Sequence, residues 1–340
     1  MQKSLDAKLA RIAANPPGEE FILADAKDAD MAFGIAAPGT KRTAEGESRG
    51  YRSLQQFREQ IREIVAQQMV DIMLMSVSTS DVLAVREQLF AKSPVTPAIR
   101  ANDTTDIWLA GSQASYGSHP SLPFRTALLD EAMGTNAQER KPESTAAPAV
   151  NLGLYSITLN NDAVLDRATL QGYRDFREEA RQKGFRHFLE VFAPNAARSL
   201  PPSDIPRFVN DSIVRLLAGV GSGSRPLFLK MPYFGPAAMD QLVSYDRSLV
   251  VGILGGSAGT TFDAFHMLWE ARQHGARAAL FGRKINHAEH QLSFIKQLRA
   301  LADGNAEPAD AVRAYHADLA KLKIAPHRPL AEDLLAAPAP

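Results

Sequence analysis

The sequence has no cysteine among its 340 residues, and its 38 Lys and Arg residues are balanced by 38 Asp and Glu residues. The lack of cysteine excludes disulfide bonds, zinc–thiolate sites and thiol nucleophiles. The balanced charge gives no sign of a basic surface for nucleic acid or acidic membranes. No apolar run approaches the ~20 residues that span a bilayer, and the polar N-terminus lacks the apolar segment of a secretory signal. We therefore expect a cytoplasmic protein that binds neither nucleic acid nor a membrane.

The composition is that of a soluble globular protein, with 45% hydrophobic and 22% charged residues. Eight short apolar segments alternate with patterns of helical spacing, which is the count for an α/β protein of the (β/α)8 TIM-barrel class. A doubly wound sheet is the rival fold, but its Gly-x-Gly-x-x-Gly turn after the first strand is absent. The predicted strands cover residues 21–24, 70–75, 97–101, 150–159, 187–192, the segment around Lys230, 249–254 and 277–281.

We predict a single domain over residues 1–340, in which the barrel core covers about 20–303. Extra helices lie at both ends, and the C-terminal helix and tail occupy 304–340. A long, irregular connection at 107–148 follows the third strand. Connections of this length are usually functional lids or interface elements, so a homo-oligomer is one possible assembly.

The segment from Pro226 to Gly235 places one lysine, Lys230, at the end of a short apolar run. Burial disfavours an ammonium ion and so lowers the pKa of a lysine, which lets the neutral amine attack a carbonyl carbon. The alternative is structural: a lysine that extends to the barrel rim or pairs with a carboxylate.

Polar residues and glycines follow most of the predicted strands, at the end where active sites of this fold lie. Glu190 on the fifth strand needs a partner if it is buried, and Lys230 on the sixth strand is the nearest candidate. Such a pair is either a buried salt bridge or a general acid/base beside a Schiff-base lysine. The strand-end residues are Asp25, Lys27, Arg100, Asn102, Asp103, Glu190, Lys230, Gly255, Gly256, Ser257, Gly282 and Arg283.

Two glycine groups predict a phosphate site. Gly255-Gly256-Ser257 opens a turn into a helix after the seventh strand, and Gly282-Arg283 follows the eighth. Glycine lets the backbone approach an anion, the helix start supplies free N–H groups, and the guanidinium adds a charged fork. The loops after strands seven and eight are the recurrent phosphate site of TIM barrels. The alternative is that these glycines only turn the chain.

In this order, the strand-end residues resemble those of class I tagatose-bisphosphate aldolases. Asp25-Ala26-Lys27 is similar to their Asp-x-Arg/Lys opening, and Glu190, Lys230, Gly255-Gly256 and Gly282-Arg283 match on strands five to eight. The outline is shared more loosely with archaeal-type fructose-bisphosphate aldolases and deoxyribose-phosphate aldolases. The resemblance covers about residues 20–300.

The resemblance implies a class I aldolase that cleaves or forms a carbon–carbon bond in a phosphorylated ketose or related sugar phosphate. It implies a Schiff base without metal or other cofactor, with Lys230 as nucleophile and Glu190 as acid/base. We count Asp25 as a third catalytic residue. The predicted substrate-binding residues are Lys27, Arg100, Asn102, Gly255, Gly256, Ser257, Gly282 and Arg283.

Three departures from these families affect the substrate more than the chemistry. The first strand reads Asp-Ala-Lys where Asp-Gln-Arg is expected, and Arg100 stands where lysine is commoner. Tyr155 lies too early to match the proton-donating tyrosine of the archaeal-type enzymes, and Asn160-Asn161 stand near that place. The histidines at 119, 287 and 290 form no recognisable metal motif.

Two other functions stay open at this point. One is a non-catalytic barrel that binds a phosphosugar, and the other is an isomerase that uses Glu190 as base. Lys230 separates them from an aldolase, because an aldolase of class I fails without its lysine.

Overall fold

The structure is a computed structural model that describes residues 1–14, 19–42, 47–108, 119–135, 147–197, 199–256 and 259–337. Eight parallel strands pair in the order β6-β5-β4-β3-β2-β1-β8-β7, and a bridge between Met231 and Ile253 joins the sixth strand to the seventh. This closed arrangement confirms the predicted (β/α)8 barrel. The strands are β1 (Ile22–Lys27), β2 (Ile72–Met75), β3 (Thr96–Arg100), β4 (Leu152–Thr158), β5 (Arg186–Phe192), β6 (Leu229–Lys230), β7 (Gly252–Gly255) and β8 (Ala278–Phe281).

Helices connect and surround the strands. The longer ones are α1 (Ser4–Ile12), α2 (Leu54–Gln67), α3 (Ala163–Lys183), α4 (Ile205–Ala218), α5 (Pro236–Tyr245), α6 (Thr261–Gln273), α7 (Arg283–His287), α8 (Gln291–Ala302) and α9 (Pro308–Leu322). Local sequence sets the ends of α3. The Asp162 side chain accepts hydrogen bonds from the backbone N–H groups of Val164 and Leu165, which caps the start. Gly184 ends the helix at a φ of 64°, because glycine enters the left-handed region without strain.

Alternation along each strand divides the side chains between the barrel interior and the layer of helices. On β5 and β6, Phe188 and Phe228 point inward and stack with ring centroids 4.6 Å apart. The residue two places further along each strand also points inward, and these are Glu190 and Lys230. The two charged side chains therefore lie above an aromatic floor, whose rings offer them no hydrogen-bond partner. This favours pairing of the two charges with each other.

Different parts of the chain lie at the two ends of the barrel. At the N-terminal end, Leu5 of α1 is fully buried in the same cluster as the interior side chains. At the other end, a short helix of the C-terminal segment, Leu330–Asp333, packs against the start of α6. Asp333 accepts a hydrogen bond from the backbone N–H of Thr261 at 2.8 Å, and the Thr260 hydroxyl donates to the Leu335 carbonyl at 2.8 Å.

The first strand differs from the sequence prediction, because β1 runs to Lys27 rather than ending at residue 24. Further along the chain, Thr40–Arg42 pairs with Ser48–Tyr51 in an antiparallel hairpin. After β2, a helix at Val77–Ser80 continues as a π-helix at Asp81–Arg86. Much of the 107–148 connection lies outside the described residues. In the described part of the chain, no helix is both long enough and apolar enough to span a membrane.

Two short structured pieces are described in and next to the 107–148 connection. Asp103–Thr104 pairs with Pro123–Phe124 in an antiparallel ladder, and a helix covers Leu129–Met133. Asp103 also accepts hydrogen bonds from both the backbone and the hydroxyl of Thr126, at 3.0 and 2.7 Å. These contacts fasten the start of the connection beside the end of β3.

Candidate active site

A cavity of about 470 Å³ opens at the carboxyl ends of the strands, which is where catalytic sites of this fold lie. Its charged lining combines side chains that are far apart in sequence, because parallel strands end at the same rim. Apolar side chains, among them Phe33, Ile107 and Phe192, form much of the remaining wall. The charged residues that line it are Asp28, Arg100, Asp106, Glu190, Lys230 and Arg283.

Lys230 and Glu190 form a close ion pair on the cavity floor. They are direct neighbours in the register between β6 and β5, and Lys230 Nζ lies 2.6 Å from Glu190 Oε1. Both side chains are almost entirely buried, so each charge depends on the other for compensation. The structure thus brings together the two residues predicted to carry the chemistry.

The second oxygen of Glu190 is held by a residue that the sequence prediction missed. Ser156, an inward-facing residue of β4, donates its hydroxyl to Glu190 Oε2 at 2.6 Å. The two oxygens of the carboxylate therefore have different partners, a serine and a lysine. This arrangement fixes the plane of the carboxylate and leaves Oε1 facing the amine.

Asn102 acts on this arrangement from behind rather than facing the cavity. Its Oδ1 accepts a hydrogen bond from the backbone N–H of Ser156 at 2.6 Å, and its Nδ2 donates to the Ser156 carbonyl at 2.8 Å. Asn102 is fully buried and does not line the cavity. Asn102 was predicted to bind substrate. In the structure it instead ties the end of β3 to Ser156.

Arg100 faces the cavity from β3 and makes an ion pair with Asp28, Nη1 to Oδ2, at 3.0 Å. Its Nε donates to the Asn102 carbonyl at 2.9 Å. Burial alone would lower the pKa of this guanidinium, but the nearby carboxylates of Asp28 and Glu190 outweigh burial and raise it. Arg100 is therefore a fixed positive charge within the electrostatic reach of Glu190.

Asp25 and Lys27 do not join this site. They occupy the outward-facing positions of β1, between the strand and helices α7 and α8, and neither lines the cavity. Lys27 Nζ lies 3.2 Å from Asp25 Oδ2 and donates to the side-chain oxygens of Asn286 and, at 2.9 Å, Gln291. Burial lowers the pKa of Lys27 and raises the pKa of Asp25 to about 6. The sequence prediction took the wrong face of β1, because the inward positions are Ala24, Ala26 and then Asp28.

The predicted phosphate site is brought together only in part. Gly255, Gly282 and Arg283 line the same cavity as Lys230, whereas Gly256 is not among the lining residues and Ser257 lies outside the described residues. A Cβ on Gly255 would overlap the Phe281 ring, and one on Gly282 would lie 2.8 Å from the Ala26 carbonyl oxygen. Both glycines are therefore needed for close packing, whereas the alternative to a phosphate site was that they only turn the chain. Arg283 is exposed at the rim, where its guanidinium carbon lies 5.6 Å from the centroid of Phe33.

The start of helix α6, expected to supply free N–H groups, is already occupied. The Thr261 N–H donates to Asp333, and the Asp263 N–H donates to the Thr260 hydroxyl at 3.2 Å in a capping box. A carboxylate of the chain itself thus takes the position at which a phosphate was predicted. The remaining candidate for an anion contact is the rim formed by Gly282 and Arg283.

No metal centre is apparent in the part of the chain that the structure describes, where no three His, Asp or Glu side chains are grouped so that they could hold an ion. Three functional candidates were not predicted: Asp28, Ser156 and Asp106. The last accepts a hydrogen bond from the Ser121 hydroxyl at 2.7 Å. Strict alternation from Ala24 and from Leu154 would have identified Asp28 and Ser156, whereas nothing in the local pattern marks Asp106.

Fold and site together define a (β/α)8 barrel with a lysine–carboxylate pair on adjacent strands at the base of its catalytic-end cavity. The sequence matches no protein-family model and no curated protein sequence. Solved structures nevertheless share the fold. An archaeal fructose 1,6-bisphosphate aldolase superposes with a TM-score of 0.59 at 15% identity, over 88% of this chain and 100% of that one. A second structure of an archaeal fructose-1,6-bisphosphate aldolase, in which the catalytic lysine is covalently bound to the carbinolamine intermediate, gives 0.59 at 15% identity over 88% and 99%.

A protein from Corynebacterium glutamicum of structural-genomics origin has a TM-score of 0.56 at 15% identity, over 89% of this chain and 98% of that one. Agreement over nearly the whole of both chains shows that they share the barrel fold. At 15% identity this likeness establishes the fold of the chain, and function has to be argued from its own residues.

Proposed function

We propose that this protein is a class I aldolase that cleaves or forms a carbon–carbon bond in a phosphorylated ketose or related sugar phosphate. The observation that carries the proposal is the distance of 2.6 Å between Lys230 Nζ and Glu190 Oε1 at the floor of the cavity. A nucleophile within hydrogen-bond distance of an acid/base, itself oriented by a third group, is the arrangement that covalent catalysis requires. Here Ser156 is the third group.

In the proposed reaction, Glu190 accepts a proton from the Lys230 ammonium, and the neutral amine attacks the substrate carbonyl carbon. The carbonyl oxygen takes up two protons, one from the attacking nitrogen and one from Glu190, and leaves as water, which gives an iminium ion on Lys230 and returns Glu190 to its carboxylate. Glu190, as carboxylate, then removes the proton of the hydroxyl group two carbons from the iminium carbon. The bond between the carbon that carries this hydroxyl group and the carbon next to the iminium carbon breaks. Its electrons neutralise the iminium as an enamine, and an aldehyde departs.

The enamine carbon is then protonated, and water hydrolyses the resulting iminium to release the second fragment and the free lysine. In this series of steps, Glu190 serves as the acid/base beside the amine of Lys230. The aromatic floor beneath the pair, Phe188 over Phe228, keeps bulk water away from this side of the reacting groups.

The phosphate of the substrate is assigned to the rim at Gly282 and Arg283. Both residues follow β8, two strands from Lys230, and both line the same cavity. A guanidinium binds phosphate through charge-assisted hydrogen bonds, which supports this end of the cavity as the anion end. The neighbouring Lys284 is already committed, because its amine donates to the carbonyls of Gly259 and Thr260 at 2.7 and 3.0 Å.

The experiment is reduction with borohydride in the presence of dihydroxyacetone phosphate, followed by mass spectrometry of the peptides. We expect the mass of the reduced adduct on the peptide that contains Lys230. The chain offers an internal control in Lys27, which is also buried and has a lowered pKa but lies outside the cavity. An adduct on Lys27, or on no lysine, would contradict the proposal and leave a phosphosugar-binding barrel or an isomerase that uses Glu190.

A further inference from the structure

Arg100 carries a buried hydrogen-bond donor for which the described residues provide no acceptor. Its Nε and Nη1 are bonded to the Asn102 carbonyl and to Asp28, but among the described residues no acceptor lies within reach of Nη2. The side chain is only 6% exposed, and it lines the cavity that contains Lys230 and Glu190. A guanidinium in a protein cannot release its proton, so a buried N–H of this group costs free energy until an oxygen reaches it.

The groups around Arg100 restrict the kind of oxygen atom that can accept this hydrogen bond. Asp28 bonds the guanidinium on one side, and Glu190 lies near enough to help raise its pKa. A permanent negative group, such as a carboxylate, would enter between two carboxylates and be repelled by both. A hydroxyl group suits the position, because it can accept from Arg100 and donate its proton to a carboxylate.

The order of strands around the barrel sets the direction of the substrate. Arg283 follows β8, Lys230 ends β6, Glu190 lies on β5 and Arg100 ends β3. A substrate with its phosphate at Arg283 and its carbonyl carbon at Lys230 therefore extends past Glu190 toward Arg100. The group that reaches Arg100 belongs to the part of the substrate that leaves as the aldehyde.

We propose that Arg100 Nη2 donates a hydrogen bond to the hydroxyl oxygen that becomes the aldehyde oxygen when the carbon–carbon bond breaks. The inference rests on the proposed function and makes Arg100 a catalytic residue. As Glu190 removes the hydroxyl proton, negative charge grows on this oxygen, and a fixed positive donor stabilises that charge more than it stabilises the ground state.

The test separates the two halves of the reaction. Formation of the enamine from dihydroxyacetone phosphate alone, measured by exchange of its hydrogen with deuterium oxide, does not involve the aldehyde oxygen. Addition of dihydroxyacetone phosphate to glyceraldehyde does. We expect Arg100→Lys, which keeps the positive charge beside Asp28 but loses the guanidinium fork, to lower addition by ~10- to 100-fold, equivalent to ~1.4–2.7 kcal/mol. Exchange should change by less than about threefold.

Arg283→Lys is the matched control at the other end of the cavity and should raise KM for dihydroxyacetone phosphate in both assays. Equal losses of exchange and addition in Arg100→Lys would mean a structural role, and no loss of addition would mean that the donor is unused; either result overturns the inference. A parent protein that exchanges hydrogen but adds no aldehyde also overturns it. A parent protein that forms no adduct on Lys230 contradicts the proposed function itself.

A binding measurement on the parent protein covers the case in which Arg100→Lys does not fold. We expect 4-deoxyfructose 1,6-bisphosphate, which lacks the hydroxyl in question, to bind at least ~10-fold more weakly than the better bound of fructose and tagatose 1,6-bisphosphates. These two sugars differ only in the orientation of that hydroxyl. Equal binding of all three would refute a contact with Arg100.

Discussion

Replacing Lys230 with methionine removes the positive charge that lies 2.6 Å from Glu190 Oε1. Methionine has a similar linear shape and fits the space, so the volume of the floor is kept. The carboxylate of Glu190 is only 2% exposed, however, and its remaining hydrogen bond comes from the neutral hydroxyl of Ser156. Breaking a buried ion pair on one side costs about 3–5 kcal/mol, which is a large part of the ~5–15 kcal/mol that stabilises a folded domain.

We therefore expect Lys230→Met to abolish the borohydride adduct and also to lower the free energy of unfolding in urea by about 3–5 kcal/mol at pH 7.5. The double variant Lys230→Met/Glu190→Gln removes both charges, and its glutamine oxygen can still accept from Ser156. It should recover most of the lost stability and remain inactive. The two variants together separate the chemical role of the lysine from its role as a counter-ion.

Three results would each refute a part of this reasoning. A single variant as stable as the parent would mean that Glu190 does not depend on Lys230 for compensation. A double variant no more stable than the single one would assign the loss to packing. Normal carbon–carbon bond cleavage by either variant would rule out the Schiff-base mechanism.

Three further predictions concern the rim, the outer face of β1 and metal ions. Arg283→Ala should raise KM for a phosphorylated substrate by roughly 30- to 1000-fold and change KM for unphosphorylated dihydroxyacetone far less; equal effects on both would make Arg283 structural. Burial raises the pKa of Asp25 from 3.8 to about 6, so the folded protein keeps a proton that the unfolded chain loses. This contribution to stability is complete below pH ~4 and is lost as pH rises through ~6. The free energy of unfolding in urea should therefore change with pH between 4 and 7 by roughly 2–3 kcal/mol less in Asp25→Asn than in the parent. An unchanged pH dependence would show that Asp25 is not the titrating group. Exhaustive chelation should leave turnover unchanged, and a loss that a divalent ion restores would indicate a metal-dependent mechanism instead.

The fold could be predicted because each strand carries its own signal: a short apolar run with a break at both ends. Glu190 and Lys230 could be predicted as a pair because a charge inside such a run requires a partner on a neighbouring strand. The prediction for Asp25 assigned it to the wrong face of one strand, β1. A strand has a period of two, so taking Asp25 in place of Asp28 moves the carboxylate to the opposite face of the sheet.

Other features depend on contacts that no local pattern contains. Asn102 reads as a polar residue at a strand end, and only the spacing between β3 and β4 shows that its amide is used on the backbone of Ser156. The start of α6 reads as an anion site, but Asp333 reaches it from 72 residues further along the chain. Sequence patterns identify groups that can carry chemistry, whereas tertiary packing decides which of them face the substrate.

Helix α1 fills the N-terminal end of the barrel, which has a consequence for the order of product release. Leu5 is buried in the barrel interior, and Leu9 and Ile12 pack beside it, so reactants enter and products leave through the mouth above Lys230. In the proposed cleavage the aldehyde has no bond to the protein and departs first, while the ketone fragment stays on Lys230 until water enters by the same passage. Product release is then ordered. The ketone fragment should inhibit competitively, because it rebinds the free lysine, and the aldehyde should inhibit noncompetitively, because it returns to the enzyme that still carries the other fragment.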